Sequence, residues 1–231
     1  MLFNKVSFML RQESYLFVRN KVTKIYSIGS FIALILSVFL LFILRKAQIP
    51  MSVNQDILAL FIVGGHIYIY GVYSFSWENS FKKIALNNAD YFLLIIWVKV
   101  ILNFFISSMI LVVVGAVFHY KLGEGVKLLI IAWGYSVSIG IWLTLFLTSF
   151  QQRFIDLYDD RFVFIRQPPV HILVIATNFL IYIIICKLCR YYSYETNYIL
   201  IIYSICFIIL IVLFPFIIKR ITKNLKVFVD A

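Results

Sequence analysis

Long apolar runs alternate with short polar connections along this chain. Six runs reach the roughly 20 residues that a membrane-crossing helix needs: residues 26–44, 57–75, 91–118, 128–150, 170–189 and 198–218. Apolar residues follow one another within these runs, without the polar alternation of barrel strands. In lipid, each segment must satisfy its own backbone hydrogen bonds, and a helix does so. The pattern therefore predicts an all-α, polytopic membrane bundle. It has six transmembrane helices over residues 26–218, within a single domain of residues 1–231.

The first 25 residues carry a different period. Leu2, Phe3, Val6, Met9, Leu10, Leu16 and Phe17 fall on one helical face. Lys5, Arg11, Gln12 and Arg19 fall on the other, and Glu13 intrudes on the apolar face. A basic amphipathic helix of this kind lies in the headgroup layer. The expectation is an interfacial helix and not a cleaved signal, because no small-residue cleavage site follows the first apolar run.

Composition agrees with this pattern. Apolar residues make up 63% of the chain and charged residues 13%, against roughly 45–50% and about 25% in soluble domains. A soluble enzyme, a disordered regulator and a nucleic-acid-binding domain are excluded on that ground. The net charge of +11 then concerns topology and anionic lipid. With a cytoplasmic amino terminus, fourteen bases fall inside. Six fall outside: Arg45, Lys46, Lys121, Lys127, Lys187 and Arg190. Both termini, including a tail over 219–231, are expected in the cytoplasm, and the chain in the bacterial inner membrane. Lys99 stands apart. Its run of 28 residues makes about 42 Å of helix, so the surplus puts Lys99 at the inner interface beside Trp97.

Candidate chemistry is sparse. His66, His119 and His171 are isolated, and none has a carboxylate one helical turn away. Cys186 and Cys189 match C-x-x-C at the end of an apolar run, and Cys206 is alone. Two buried thiols describe that pair better than a redox site. Asp156, Asp159 and Asp160 cluster in an inner loop among Arg153, Arg161 and Arg166. One such cluster falls short of the paired sites that hold a magnesium diphosphate, so no metal and no catalytic residue is expected. Polar residues inside the runs are Ser37, His66, Asn103, Ser107, Ser108, Thr144 and Asn178, with no mid-run Asp or Glu. Coupled carriers use intramembrane carboxylates or broken helices, and Gly64-Gly65-His66 is one place where a helix would loosen.

The connection after the second run reads Phe75-Ser76-Trp77-Glu78-Asn79-Ser80-Phe81-Lys82-Lys83-Ile84-Ala85-Leu86. Phe81, Ile84 and Leu86 are spaced as one face of a short helix, with Lys82 and Lys83 left for water or a partner. In this loop the chain resembles the short six-helix permease subunits of ABC exporters. Those subunits have an amino-terminal interfacial helix and a cytoplasmic coupling helix. An acidic residue often precedes the coupling helix, and a lysine lies near the inner end of the third helix. Glu78 and Lys99 occupy the corresponding places. Trp77-Glu78-Asn79-Ser80-Phe81 is similar to a variant found in Bacteroidetes-type permeases, and Arg153-Phe154-Ile155-Asp156-Leu157 resembles their second inner loop. The aromatic-Asn-x-Gln-Gly stretch that follows in the family is reduced here to Phe164-Ile165-Arg166-Gln167-Pro168.

The resemblance implies a homodimer or pseudo-dimer of permeases above separate ABC ATPase subunits, which hold the ATP and magnesium. It makes Trp77, Glu78, Phe81, Lys82, Lys83 and Ile84 the partner-binding coupling helix. Arg153, Asp156, Asp159 and Asp160 form the second inner loop. The chain has no Gly-x-x-x-x-Gly-Lys-Ser/Thr motif, so it is expected not to be an enzyme. A carrier or channel working without an ATPase, and a non-transport scaffold or assembly protein, are the alternatives.

Overall fold

The computed structural model of the chain describes residues 21–46, 53–73, 89–122, 125–149, 169–191 and 196–229. Among these the fold is all-helical. In chain order the helices are α1 (Lys21–Lys46), α2 (Val53–Tyr73), α3 (Ala89–Leu122), α4 (Gly125–Tyr135), α5 (Ile141–Thr148), α6 (Pro169–Tyr191) and α7 (Thr196–Val229). A π turn, Ser136–Gly140, joins α4 to α5 without a break, so that residues 125–148 form one rod. The described part of each of the six predicted runs lies on a helix or on the rod, and residues 74, 75 and 150 lie outside the described residues.

Helix ends differ from the runs by a few residues throughout, and four differences matter. Residues 21–25, expected in the interfacial segment, belong to α1; residues 1–20 of that segment lie outside the described residues. Gln55 and Asp56, expected in a connecting loop, are in the first turns of α2, where a carboxylate complements the positive end of the helix dipole. Residues 219–229, expected as a tail, continue α7, and Pro215 does not end it. The fourth difference is the π turn itself.

Among the described residues three helices are long and apolar enough to cross a membrane: Leu93–His119, Val126–Thr148 and Ile172–Cys189. Shorter apolar stretches occupy Phe31–Leu44, Gln55–Tyr68 and Tyr198–Leu213. This is the make-up of an integral membrane protein. Burial sorts the helices into a centre and a periphery. The apolar window of the rod is 72% buried, against 28% for each of the other two long ones. No residue from 55 to 68 of α2 is exposed, and Lys127 alone is exposed between 126 and 149. α2 packs on α1, α3, α4, α5, α6 and the π turn, and the rod packs on α2, α3, α6 and α7. The peripheral helices turn large apolar side chains outward: Phe39 on α1, Met109 and Val112 on α3, Ile172 on α6, Val212 and Phe216 on α7. Exposed apolar surface of this extent fits a lipid environment or a protein partner.

A buried polar cluster around a pi turn

Two groups of buried polar side chains stand out among the described residues. The larger surrounds the π turn. Ser136 O accepts the Ile141 N–H, an i→i+5 bond that absorbs about one more residue than an α turn. The Ser138 hydroxyl donates to Gly134 O at 2.6 Å, which holds the widened turn from inside. Ser136 and Ser138 are both buried.

Three helices converge on this turn. From α2, the Tyr68 hydroxyl meets Ser136 Oγ at 3.4 Å. From α6, Asn178 reaches both halves of the rod. The Tyr135 hydroxyl donates to Asn178 O at 3.0 Å and contacts Oδ1 at 3.3 Å. Asn178 Nδ2 donates to Thr144 Oγ1 at 3.3 Å and to Val174 O, on its own helix, at 2.9 Å. From α7, Tyr203 lays its ring 6.3 Å from that of Tyr135, while the ring of Tyr182 of α6 lies tilted at 5.2 Å. Phe179 closes the side toward α2, against Phe61 and Tyr68.

Glycines allow this approach. An ideal Cβ on Gly140 would stand 3.0 Å from the Tyr68 hydroxyl, and one on Gly134 would stand 2.8 Å from the Tyr203 ring. Small residues at helix contacts let membrane helices come close, where packing replaces the hydrophobic drive. Among the described residues the Tyr203 hydroxyl has no hydrogen-bond partner. The Tyr182 hydroxyl has only the weak Cys186 thiol beside it.

The second cluster is the seam between α2 and α3. Lys99, Asn103 and Ser107 are spaced by four, so they share one face of α3, and all three are buried. His66 of α2 faces them. Its Nε2 lies 3.4 Å from Asn103 O and 3.4 Å from Ser107 Oγ, and Ser107 donates to Val63 O at 3.1 Å. A carbonyl only accepts, so the neutral ring carries its proton on Nε2. Nδ1 is then a lone acceptor. Asn103 Nδ2 donates to Lys99 O at 2.8 Å, which leaves Oδ1 as a second acceptor. Neither has a donor among the described residues. Nearby, Trp133 Nε1 donates to Ser108 Oγ at 3.2 Å and ties α4 to α3.

Comparison with family models, with curated proteins and with solved structures finds no match to this chain.

One predicted site residue lies among the described residues and is enclosed by protein. Lys99, expected at the water interface, is 1% exposed, because its face of α3 is the one that turns to α2. Lys99, Gln55 and Asp56 each make a polar or electrostatic interaction. Trp77, Glu78, Phe81, Lys82, Lys83, Ile84, Arg153, Asp156, Asp159 and Asp160 lie outside the described residues. Of the polar residues singled out in the runs, His66, Asn103 and Ser107 come together, and Thr144 meets Asn178. Ser37 is buried on α1. Cys186, Cys189 and Cys206 are free thiols.

Sequence reasoning missed Tyr68, Tyr135, Tyr182, Tyr203, Ser136 and Ser138. A signal was present. Tyrosine collects at membrane interfaces, yet Tyr135 lies mid-rod and Tyr182 mid-helix. Gly134-Tyr135-Ser136-Val137-Ser138-Ile139-Gly140 is also the densest run of small and hydroxyl residues in the rod. The π-turn cluster is uncharged, with hydroxyls and one amide as donors and acceptors. It can exchange hydrogen bonds between helices, and it offers no acid–base pair.

Proposed function

We propose that this chain is the membrane-spanning permease subunit of an ABC exporter, driven by a separate ATPase subunit. It works as a homodimer or pseudo-dimer in the bacterial inner membrane. In this reading all six helical units cross the bilayer, with both termini cytoplasmic. The lengths of the shorter-windowed helices allow it: α1, α2 and α7 have 26, 21 and 34 residues, or about 39, 32 and 51 Å at 1.5 Å per residue, against a hydrocarbon core of about 30 Å.

The observation that carries the transport reading is the polar cluster on the π turn. Polar groups within membrane helices are costly and mark function, and π turns inside helices recur at functional sites. A static scaffold would be served as well by leucine at Asn178, Thr144 and Tyr68. The ABC assignment rests on the resemblance carried by Trp77–Phe81, Lys99 and Arg153–Leu157. The test is purification from the native membrane in mild detergent, followed by an ATPase assay. A Walker-motif subunit should co-purify, and its hydrolysis should change when this chain is present. Hydrolysis indifferent to this chain overturns the assignment.

One observation favours a second reading, a carrier without an ATPase. Asp56 and Lys99 are buried to 2% and 1% exposure, and buried ionisable residues are the usual sites of ion coupling. Cargo flux in proteoliposomes that follows an imposed proton or sodium gradient, with no ATP, selects this reading.

A further inference from the structure

The π turn sets the rotational phase of everything that follows it. Tyr135 and Thr144 are nine residues apart. At about 100° per residue an unbroken α-helix would put them about 180° apart, on opposite faces. With one residue absorbed by the i→i+5 turn the angle falls to about 80°. Only then do both reach Asn178, one from each half of the rod.

We infer that the π turn is a movable joint, with Asn178 as its latch. In the state described here α5 is held by the Thr144–Asn178 bond. In the second state the turn relaxes to α, residues 141–148 rotate by about 100°, and Thr144 leaves Asn178.

The Thr144–Asn178 bond that the rotation breaks is long, at 3.3 Å, and Asn178 is provided with others. Asn178 Nδ2 keeps Val174 O at 2.9 Å, and its backbone carbonyl keeps the Tyr135 hydroxyl at 3.0 Å. Thr144 Oγ1 accepts in the broken bond, and its own O–H can donate to the Gly140 carbonyl one turn back in either state. Ser138 and Thr148 already make that bond, at 2.6 Å to Gly134 O and 2.8 Å to Thr144 O. In lipid no water satisfies a broken bond, so two states of similar energy require such internal alternatives. The rotating half also begins at Gly140, whose missing Cβ clears the Tyr68 hydroxyl. The inference goes beyond the transport reading and holds for any energy source.

The experiment is fluorine NMR of the full chain in lipid nanodiscs, with trifluoromethyl-phenylalanine at position 146, on the rotating half. Two resonances are expected in the parent chain. Thr144→Val should shift their ratio toward the relaxed state by about threefold, as expected for one weak interhelical hydrogen bond in a membrane. Thr148→Val is the control, since that hydroxyl bonds only carbonyls of its own helix, and it should leave the ratio unchanged. Deleting Ile139 should give the relaxed resonance alone. If the deletion does not fold, the two threonine variants decide. A single resonance in the parent and both variants overturns the joint, as does an equal shift in Thr144→Val and Thr148→Val.

Discussion

Gly64 and Ser136 meet so closely that a methyl group on Gly64 would stand 2.5 Å from the Ser136 Oγ. The contact fixes the distance between α2 and the rod, the two central helices. The Tyr68 hydroxyl, 2.9 Å from the same point, leaves the serine little room to turn. Gly64→Ala is expected to destabilise the protein by about 1–3 kcal/mol, the usual cost of overpacking. Thermal unfolding in detergent measures it. Adding Ser136→Ala removes the hydroxyl in the way and should recover part of the loss. A double variant no more stable than Gly64→Ala alone counts against this contact as the cause.

Gly134 and Gly115 make a matched pair. A Cβ on Gly134 would press on the Tyr203 ring at 2.8 Å and on Leu200 at 3.2 Å, whereas one on Gly115 meets nothing within 4 Å. Gly134→Ala should destabilise by about 1–3 kcal/mol. Gly115→Ala should stabilise by about 0.5–1 kcal/mol through helix propensity. Opposite shifts in melting temperature are the expected result, and shifts of the same sign contradict the packing.

Ser107 and Asn103 should respond differently to truncation. Ser107 bonds another helix through Val63 O, so Ser107→Ala is expected to cost about 1 kcal/mol. Asn103 donates only within its own helix, and its Oδ1 has no partner among the described residues. Asn103→Leu should therefore change stability by less than about 1 kcal/mol. Denaturation of both variants in one detergent tests the order.

Topology is tested by reporter fusions at residue 49 and after Lys226. The charge asymmetry places them on opposite sides of the membrane. Reports from the same side would remove at least one of the six crossings.

The coupling-helix assignment predicts an asymmetry between Phe81 and its neighbours. A desolvated aromatic anchor carries most of an interface, whereas rim charges steer the encounter. Phe81→Ala should reduce stimulation of the partner ATPase at least tenfold (about 1.4 kcal/mol). Lys82→Glu with Lys83→Glu should slow association mainly at low salt. Full stimulation by Phe81→Ala would remove the loop from the interface.

The helices themselves were legible, because a run such as 170–189 has no other stable form in lipid. Their ends were less so. Asp56 looks like a loop residue by polarity, yet one carboxylate is tolerated in a first helical turn. Which helix lies at the centre was not readable. Lipid is as apolar as a packed leucine, so Ile62, fully buried, and Ile172, 70% exposed, are the same to a hydropathy scale. The burial of Lys99 was hidden for the same reason, since its face of α3 depends on where α2 lies. His66 and Asn178 were recognisable as polar residues in apolar runs, but their partners come from distant helices. The π turn was hidden because one absorbed residue changes no composition. It shows only when Tyr135 and Thr144 are found on one amide.

The enclosure of α2 has a consequence for how this chain can change over generations. On α3, α6 and α7 the outward-facing apolar stripe accepts any exchange of one greasy side chain for another, so variation there should be wide and striped at helical spacing. From Gln55 to Tyr68 no such stripe exists, because every direction from the helix axis meets a neighbour. That stretch has no free side on which drift can accumulate, and its substitutions should come paired with changes on the helices that surround it.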